Sequence, residues 1–177
     1  NYVNLGTPLN GFASCCLYTV ADTNESIDAG DLIASKMTAA SAGIGTHHNL
    51  RSIGDPVRGG RFPHGGKRPY FATTAKSVIK GVQAGRAGAA TLYFDIFEKE
   101  AKDLIMLQNP RTPEAKRNRD VHFAVMTNSF FAKKARDGDK IFSFNCFTAP
   151  DLHDALFSGD IKNFEALYDK YEKDDSF

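Results

Sequence analysis

Apolar positions along this chain switch repeatedly between strand-like and helix-like spacing. The run from Ser14 to Val20 (SCCLYTV) is short and largely apolar, and predicts a buried strand. Asp22-Thr23-Asn24 reads as a turn, after which Ser26 is placed to cap a helix carrying Ile27, Ile33 and Met37 at helical spacing. Gly43 and Gly45 are expected to end that helix, and a loop should run from there through Asp55-Pro56 to Gly60. A second helix is predicted from Pro69 to Val82, with Phe71, Ala75, Val78 and Val82 on one face, broken by Gln83 to Gly88. Ala89 to Phe94 (AATLYF) is a second strand.

Asp95 is then expected to cap a helix, with Glu98 three positions on as in a capping box and Phe97, Ala101, Leu104 and Ile105 facing the core. Gln108 to Arg119 is polar and predicts a loop. Val121, Phe123 and Val125 alternate as a strand, Ser129 to Arg136 forms a short helix, and Lys140 to Cys146 (KIFSFNC) is read as a further strand. Pro150 opens a helix through Leu152 and Leu156, and Phe164, Leu167, Tyr168 and Tyr171 mark a last amphipathic one. Strands alternating with helices argue for an α/β fold with a largely parallel sheet.

Length and composition bound this picture. A chain of 177 residues, 42% hydrophobic and 24% charged, suits one domain with a core of its own. No run approaches the roughly 18 apolar residues of a membrane span, and Asn1 to Asn10 lack the pattern of a signal peptide. Three Cys are too few for a disulfide scaffold and fit a reducing compartment, so a cytoplasmic location is expected.

The net charge of +1 conceals a local bias. Between Arg51 and Ala90 stand eight basic residues (Arg51, Arg58, Arg61, Lys67, Arg68, Lys76, Lys80, Arg86), one acid (Asp55) and eight glycines. Glycine lets backbone amides approach an anion, and arginine offers a planar fork to phosphate oxygens, so phosphate binding is the sharper reading. Two solvated basic loops are the plainer one. Nucleic acid is disfavoured, because aromatic residues are not interleaved with these bases as stacking requires.

Other candidates carry less. Cys15 and Cys16 lack a zinc-type spacing, and on a strand only one of the two can face an interior site. Cys146 reads as a buried filler. The pair His47-His48 is poorly disposed to converge on one metal, no metal ligand set is assigned, and Gly59-Gly60 and Gly65-Gly66-Lys67 lack the spacing of a Walker loop.

Several strings taken in order resemble the large, catalytic subunit of class I ribonucleotide reductase. They are Phe12-Ala13-Ser14-Cys15, Ser41-Ala42-Gly43-Ile44-Gly45, Gly54-Asp55-Pro56-Val57-Arg58-Gly59-Gly60 and Gln83-Ala84-Gly85-Arg86-Ala87-Gly88-Ala89-Ala90-Thr91. Asn109-x-Arg111, Arg117-x-Arg119-Asp120 and the run from Leu167 to Ser176 follow, so the similarity covers nearly the whole chain.

The resemblance implies part of a ten-stranded α/β barrel, with residues 1–177 a partial catalytic barrel domain. It implies that Cys15 is one of two cysteines oxidised to a disulfide as the ribose 2′ position is reduced, and that Ser14 and Gly43 contact the substrate ribonucleotide. Asp22, Thr23 and Asn24 match the place that holds an effector's deoxyribose and base, and Arg51 and Arg58 match residues on its phosphates. Gln83 and Arg86 match the mobile specificity loop between effector and substrate. No directly bound cofactor is implied. The implied partners are a nucleoside triphosphate effector, a small metal-containing subunit that supplies a radical, a thioredoxin or glutaredoxin, and a second copy of the full subunit.

The segment Thr46-His47-His48-Asn49 is about one residue shorter than the family pattern, as is Gln83 to Arg86. The thiyl-radical cysteine and the second reducing cysteine are expected beyond Phe177, so residues 1–177 alone should not turn over substrate. A nucleotide-binding regulatory module without redox work, or one half of a split subunit, are the alternatives.

Overall fold

In strand β1 (Cys15–Val20) alternate residues face opposite sides, and the two sides have different fates. Cys16 and Tyr18 pack toward the core, whereas Leu17 is 76% exposed. The computed structural model describes residues 14–81 and 87–174, together with Gly6 and Pro8. Helix α1 (Asn24–Ala39) leads from β1 to strand β2 (Gly43–His48), and a small antiparallel ladder of β3 (Pro56–Val57) and β4 (Phe62–Pro63) interrupts the next connection. Helix α2 (Arg68–Lys80), strand β5 (Ala90–Asp95), helix α3 (Ala101–Ile105) and strand β6 (His122–Met126) follow. Strands β1, β2, β5 and β6 form one parallel sheet in that order.

One face of the sheet is closed by the helices. Ile44, Ala90, Leu92 and Phe94 pack there with Ala34 of α1, Phe71, Ala75 and Val78 of α2, and Ala101 and Leu104 of α3. The other face carries Cys15, Leu17, Gly45 and Tyr93. Leu17 lies over Gly45 there, where a Cβ would stand 2.5 Å from Leu17 Cδ2 and displace that exposed side chain. Helices α4 (Ser129–Asp137), α5 (Pro150–Ser158) and α6 (Ile161–Glu172) enclose a second, aromatic cluster of Phe97, Phe130, Phe144, Phe164 and Tyr168. Phe157 of α5 lies beside the end of β2, its ring 5.1 Å from that of His47.

Five expectations change, the first at β1, which was expected to be buried but has only Val20 buried and leaves Cys15 and Leu17 exposed on the uncovered face. Residues 43–48 are not the start of a loop but β2, paired on both sides and almost wholly buried. Its glycines hide the strand from propensity, and at Gly45 the missing side chain leaves room for Leu17. Lys140 to Cys146 forms no ladder. Its amides go elsewhere, Phe144 N–H to Phe97 O at 2.9 Å and Phe142 N–H to Tyr168 Oη at 2.8 Å, so the alternating aromatics serve the helical cluster.

Helix α1 is capped by Thr23, whose Oγ1 accepts from Ser26 N–H at 3.2 Å, while Ser26 Oγ accepts from Ala21 N–H at 2.8 Å. Its buried stripe is Gly30, Ala34 and Thr38, because the close approach of Val20 leaves no space for a side chain at Gly30. Asp95 ends β5, and the following helix begins only at Ala101. The predicted Asp95–Glu98 contact does form, from Asp95 N–H to Glu98 Oε1 at 3.1 Å.

Candidate functional site: a cleft at the sheet end

The amino end of α1 and the connection from β2 to α2 face each other across a cleft of about 490 Å³, a volume in the range of small-molecule sites. Asp22, Thr23, Asn24, Glu25 and Ile27 form one wall. Arg51, Val57, Arg58, Pro63, His64, Gly65 and Tyr70 form the other. All five residues matched to effector binding from sequence therefore line one cavity. Ile27, the first apolar residue of α1's helical spacing, also lines it.

Asp22 and Arg51 hold the two walls together. Arg51 donates from Nε to Asp22 Oδ2 at 2.7 Å and from its backbone N–H to Oδ1 at 3.3 Å. Its guanidinium also donates to Pro56 O at 2.5 Å and lies 4.7 Å over the Phe147 ring. Arg51 is thus bound on several sides, and Phe147 is an aromatic neighbour that local sequence spacing could not reveal.

Arg58 differs. It is exposed, sits at φ 51, and has no ion-pair partner among the described residues. Its backbone is held in the left-handed region by the turn before Gly59 and Gly60, and the residue lines the cleft. Asn24 and Glu25 add first-turn amides that have no intrahelical acceptor, at the positive end of a 16-residue helix. An anion of phosphate type suits Arg58 and this helix end together.

His64 contributes a hydrogen-bonding wall. Its ring stacks on Tyr70 at 5.5 Å, Nδ1 accepts from Gly66 N–H at 3.2 Å, and Nε2 lies 3.2 Å from Tyr70 Oη. With Nδ1 accepting, Nε2 carries the proton and donates to the tyrosine. His64, Gly65 and Tyr70 had not been singled out as site residues. Only the glycine-rich context hinted at them.

The other group of expected residues lies at the opposite end of the sheet. Cys15 pairs in register with Gly43, and Gly43 N–H donates to Ser14 O at 2.9 Å, so Ser14, Cys15 and Gly43 are neighbours. Cys15 is exposed on the open face, about 16 Å along β1 from Val20 (at roughly 3.3 Å per residue), beyond which Asp22 enters the cleft. Cys146 is half-buried, its Sγ 3.9 Å from Asn49 O, and burial pushes its thiol up to about 11. Gln83 and Arg86 lie outside the described residues.

Behind the cleft is a buried polar layer. Lys67 Nζ lies 2.5 Å from Glu98 Oε1 and donates to His48 O at 2.7 Å, while His47 Nε2 meets Asp95 Oδ2 at 3.0 Å. Burial pushes the Glu98 carboxyl above its usual range, against the opposing pull of the Lys67 ammonium. His47, Asp95 and Glu98 offer ligand atoms within 4.8 Å of one another. The Lys67 ammonium already supplies positive charge to that group, however, and His47 and Asp95 satisfy each other.

Residues 13–177 match the family model described as the ribonucleotide reductase barrel domain. The chain belongs to this family. Among ribonucleotide reductases, the chain is 37% identical over 174 residues to "Ribonucleoside-diphosphate reductase 1 subunit alpha" of Escherichia coli (strain K12), covering 96% of this chain and 22% of that relative. It is 30% identical over 173 residues to the ribonucleoside-diphosphate reductase subunit alpha of Enterobacteria phage T4, covering 95% and 22%. Against the ribonucleoside-diphosphate reductase large chain of Schizosaccharomyces pombe (strain 972 / ATCC 24843) the identity is 29% over 176 residues, covering 97% and 21%. The chain therefore spans about a fifth of the length of these relatives. The open parallel sheet with helices on one face is part of a reductase barrel, not closed within the described residues. Among those residues no helix is long and apolar enough to cross a membrane.

Proposed function

We propose that this chain serves in a ribonucleotide reductase large subunit that reduces ribonucleotides, in particular ribonucleoside diphosphates, and that the 490 Å³ cleft is the seat of its nucleoside triphosphate effector. The observation that carries the reading is the convergence of Asp22, Thr23, Asn24, Arg51 and Arg58 on that one cavity within a chain of this family. Arg58, backed by Arg51, and the α1 backbone amides of Asn24 and Glu25 take the phosphates, while the side chains of Asp22, Thr23 and Asn24 face the sugar and base.

Cys15 acts at the other end of β1 as one of a pair of reducing thiols, with Ser14 and Gly43 against the substrate. Two thiols become a disulfide, the ribose 2′ carbon gains hydrogen in place of its hydroxyl, and the hydroxyl leaves as water. A thioredoxin or glutaredoxin returns two electrons to the disulfide. The radical that starts the reaction comes from a metal-containing small subunit, and the working large subunit is a homodimer.

The test uses the full-length protein with its small subunit, a ribonucleoside diphosphate and a dithiol donor. Deoxyribonucleotide should form, and Cys15→Ser should abolish steady turnover while triphosphate binding stays intact. Undiminished multiple turnover by Cys15→Ser refutes the role of this thiol.

A further inference from the structure

Resting on the reading of the cleft as a nucleotide site, we propose that Glu100, which lies outside the cleft, is a positioning residue that sets its affinity by clasping both ends of the loop forming its wall. The connection over residues 51–67 carries Arg58, His64 and Gly65 to the cavity, yet its only regular structure is the two-residue ladder of β3 and β4. Holding so long a segment in one arrangement is entropically costly and needs fixed points.

Glu100 supplies two of them with one side chain. It is buried, 6% exposed, in the turn between β5 and α3. Its Oε2 accepts from Ile53 N–H at 3.0 Å, near the start of the loop. Its Oε1 accepts from Lys67 N–H at 3.1 Å, at the end of the loop. Lys67 is also the residue that opens α2, a helix with no acid in its first turn and no side-chain cap of its own. The carboxylate therefore caps α2 from a distant part of the chain.

Gly66 fits the same contact. It adopts φ +82, and a Cβ there would lie 2.2 Å from Glu100 Oε1. The carboxylate is thus packed against bare backbone at the point where the cleft wall turns into the helix. Glutamine at position 100 would keep the shape and one acceptor but set an NH₂ group against a backbone N–H. Alanine would remove both acceptors.

The experiment measures nucleoside triphosphate affinity, substrate KM and kcat of the full-length enzyme with its small subunit, for wild type, Glu100→Gln and Arg58→Ala. Glu100→Gln should weaken triphosphate affinity about tenfold or more, the effect of losing a charge-assisted hydrogen bond. Substrate KM and kcat at saturating triphosphate should stay within about twofold, a split that general loosening of the fold does not produce. Wild-type affinity in Glu100→Gln together with weakened binding in Arg58→Ala overturns the role of Glu100 and leaves the cleft standing. Wild-type affinity in both variants overturns the cleft as the nucleotide site, and this inference with it. Amide hydrogen exchange on the wild type gives an independent reading: Ile53 and Lys67 should be protected, and free exchange at both overturns the clasp.

Discussion

Arg51 binds Asp22 twice, through Nε at 2.7 Å and through its backbone amide at 3.3 Å. The carboxylate just before α1 is thereby joined to the loop on the far side of the cleft. Both side chains are 22% exposed, so the pair is partly shielded from water and salt. Asp22→Ala should lower folding stability by about 1–2 kcal/mol, between the values for exposed and buried charge-assisted bonds. Urea denaturation checks this, and an unchanged midpoint means the pair contributes nothing to the fold.

The buried Lys67–Glu98 pair should behave differently. Lys67→Met leaves Glu98 without its cation and the His48 carbonyl without a donor, at a cost of about 3–5 kcal/mol. The double variant Lys67→Met/Glu98→Leu removes both charges and should recover most of that loss. Chemical denaturation of wild type, Lys67→Met, Glu98→Leu and the double variant gives the coupling, and a double variant as unstable as Lys67→Met counts against an isolated ion pair.

His48 predicts an acid-labile fold. Burial, aided by the Lys67 ammonium and His47, pulls its imidazole from 6.5 down to about 3. The ring sits edge-on to Phe71 at 5.1 Å, and its Nδ1 has no hydrogen-bond partner among the described residues. With the folded value below the unfolded one, the unfolded chain takes up the proton first. The stability tied to neutral His48 is complete above about pH 6.5 and drains as pH falls toward about 3, at up to about 1.4 kcal/mol per pH unit. His48→Leu should flatten the fall in denaturation midpoint between pH 6.5 and 4.5. Equal slopes in variant and wild type would contradict the assignment.

Two glycines with positive φ separate backbone strain from steric conflict. Gly59 has φ +67 and open space around it, so Gly59→Ala should cost only the left-handed penalty of about 1–2 kcal/mol. Gly66 adds a buried carboxylate 2.2 Å from the new Cβ. Gly66→Ala should therefore be clearly the more destabilising in thermal melts, and equal losses would place Glu100 elsewhere.

Thiol reactivity should divide the cysteines. Cys15 is exposed, whereas Cys146 is half-buried with its thiol pushed up to about 11. Timed alkylation of native protein at pH 8 with peptide mapping should label Cys15 well before Cys146. The reverse order contradicts the placement of Cys15 on the open sheet face.

Strand β5 and helices α2 and α6 were legible in the sequence because their apolar residues pack into one or other of the two cores. Strand β2 was not, since Gly43 and Gly45 bring no apolar side chain to it, and His47 and His48 look polar until their buried partners are known. The run Lys140 to Cys146 misled for the opposite reason. Its aromatics alternate as in a strand but fill gaps among helices. Family motifs named Asp22, Arg51 and Arg58, and the fold brought them together. Glu100 carried no local signal, because its partners Ile53 and Lys67 lie 47 and 33 residues away.

The central claim is that a nucleoside triphosphate sits between the α1 amino end and the 51–65 loop. The direct test is photoaffinity labelling of the full-length protein with an azido-nucleoside triphosphate, competed by unmodified triphosphate and mapped by mass spectrometry. The account predicts competed adducts within residues 22–27 or 51–70. Competed labelling that leaves both segments unmodified and falls elsewhere in the protein would contradict it.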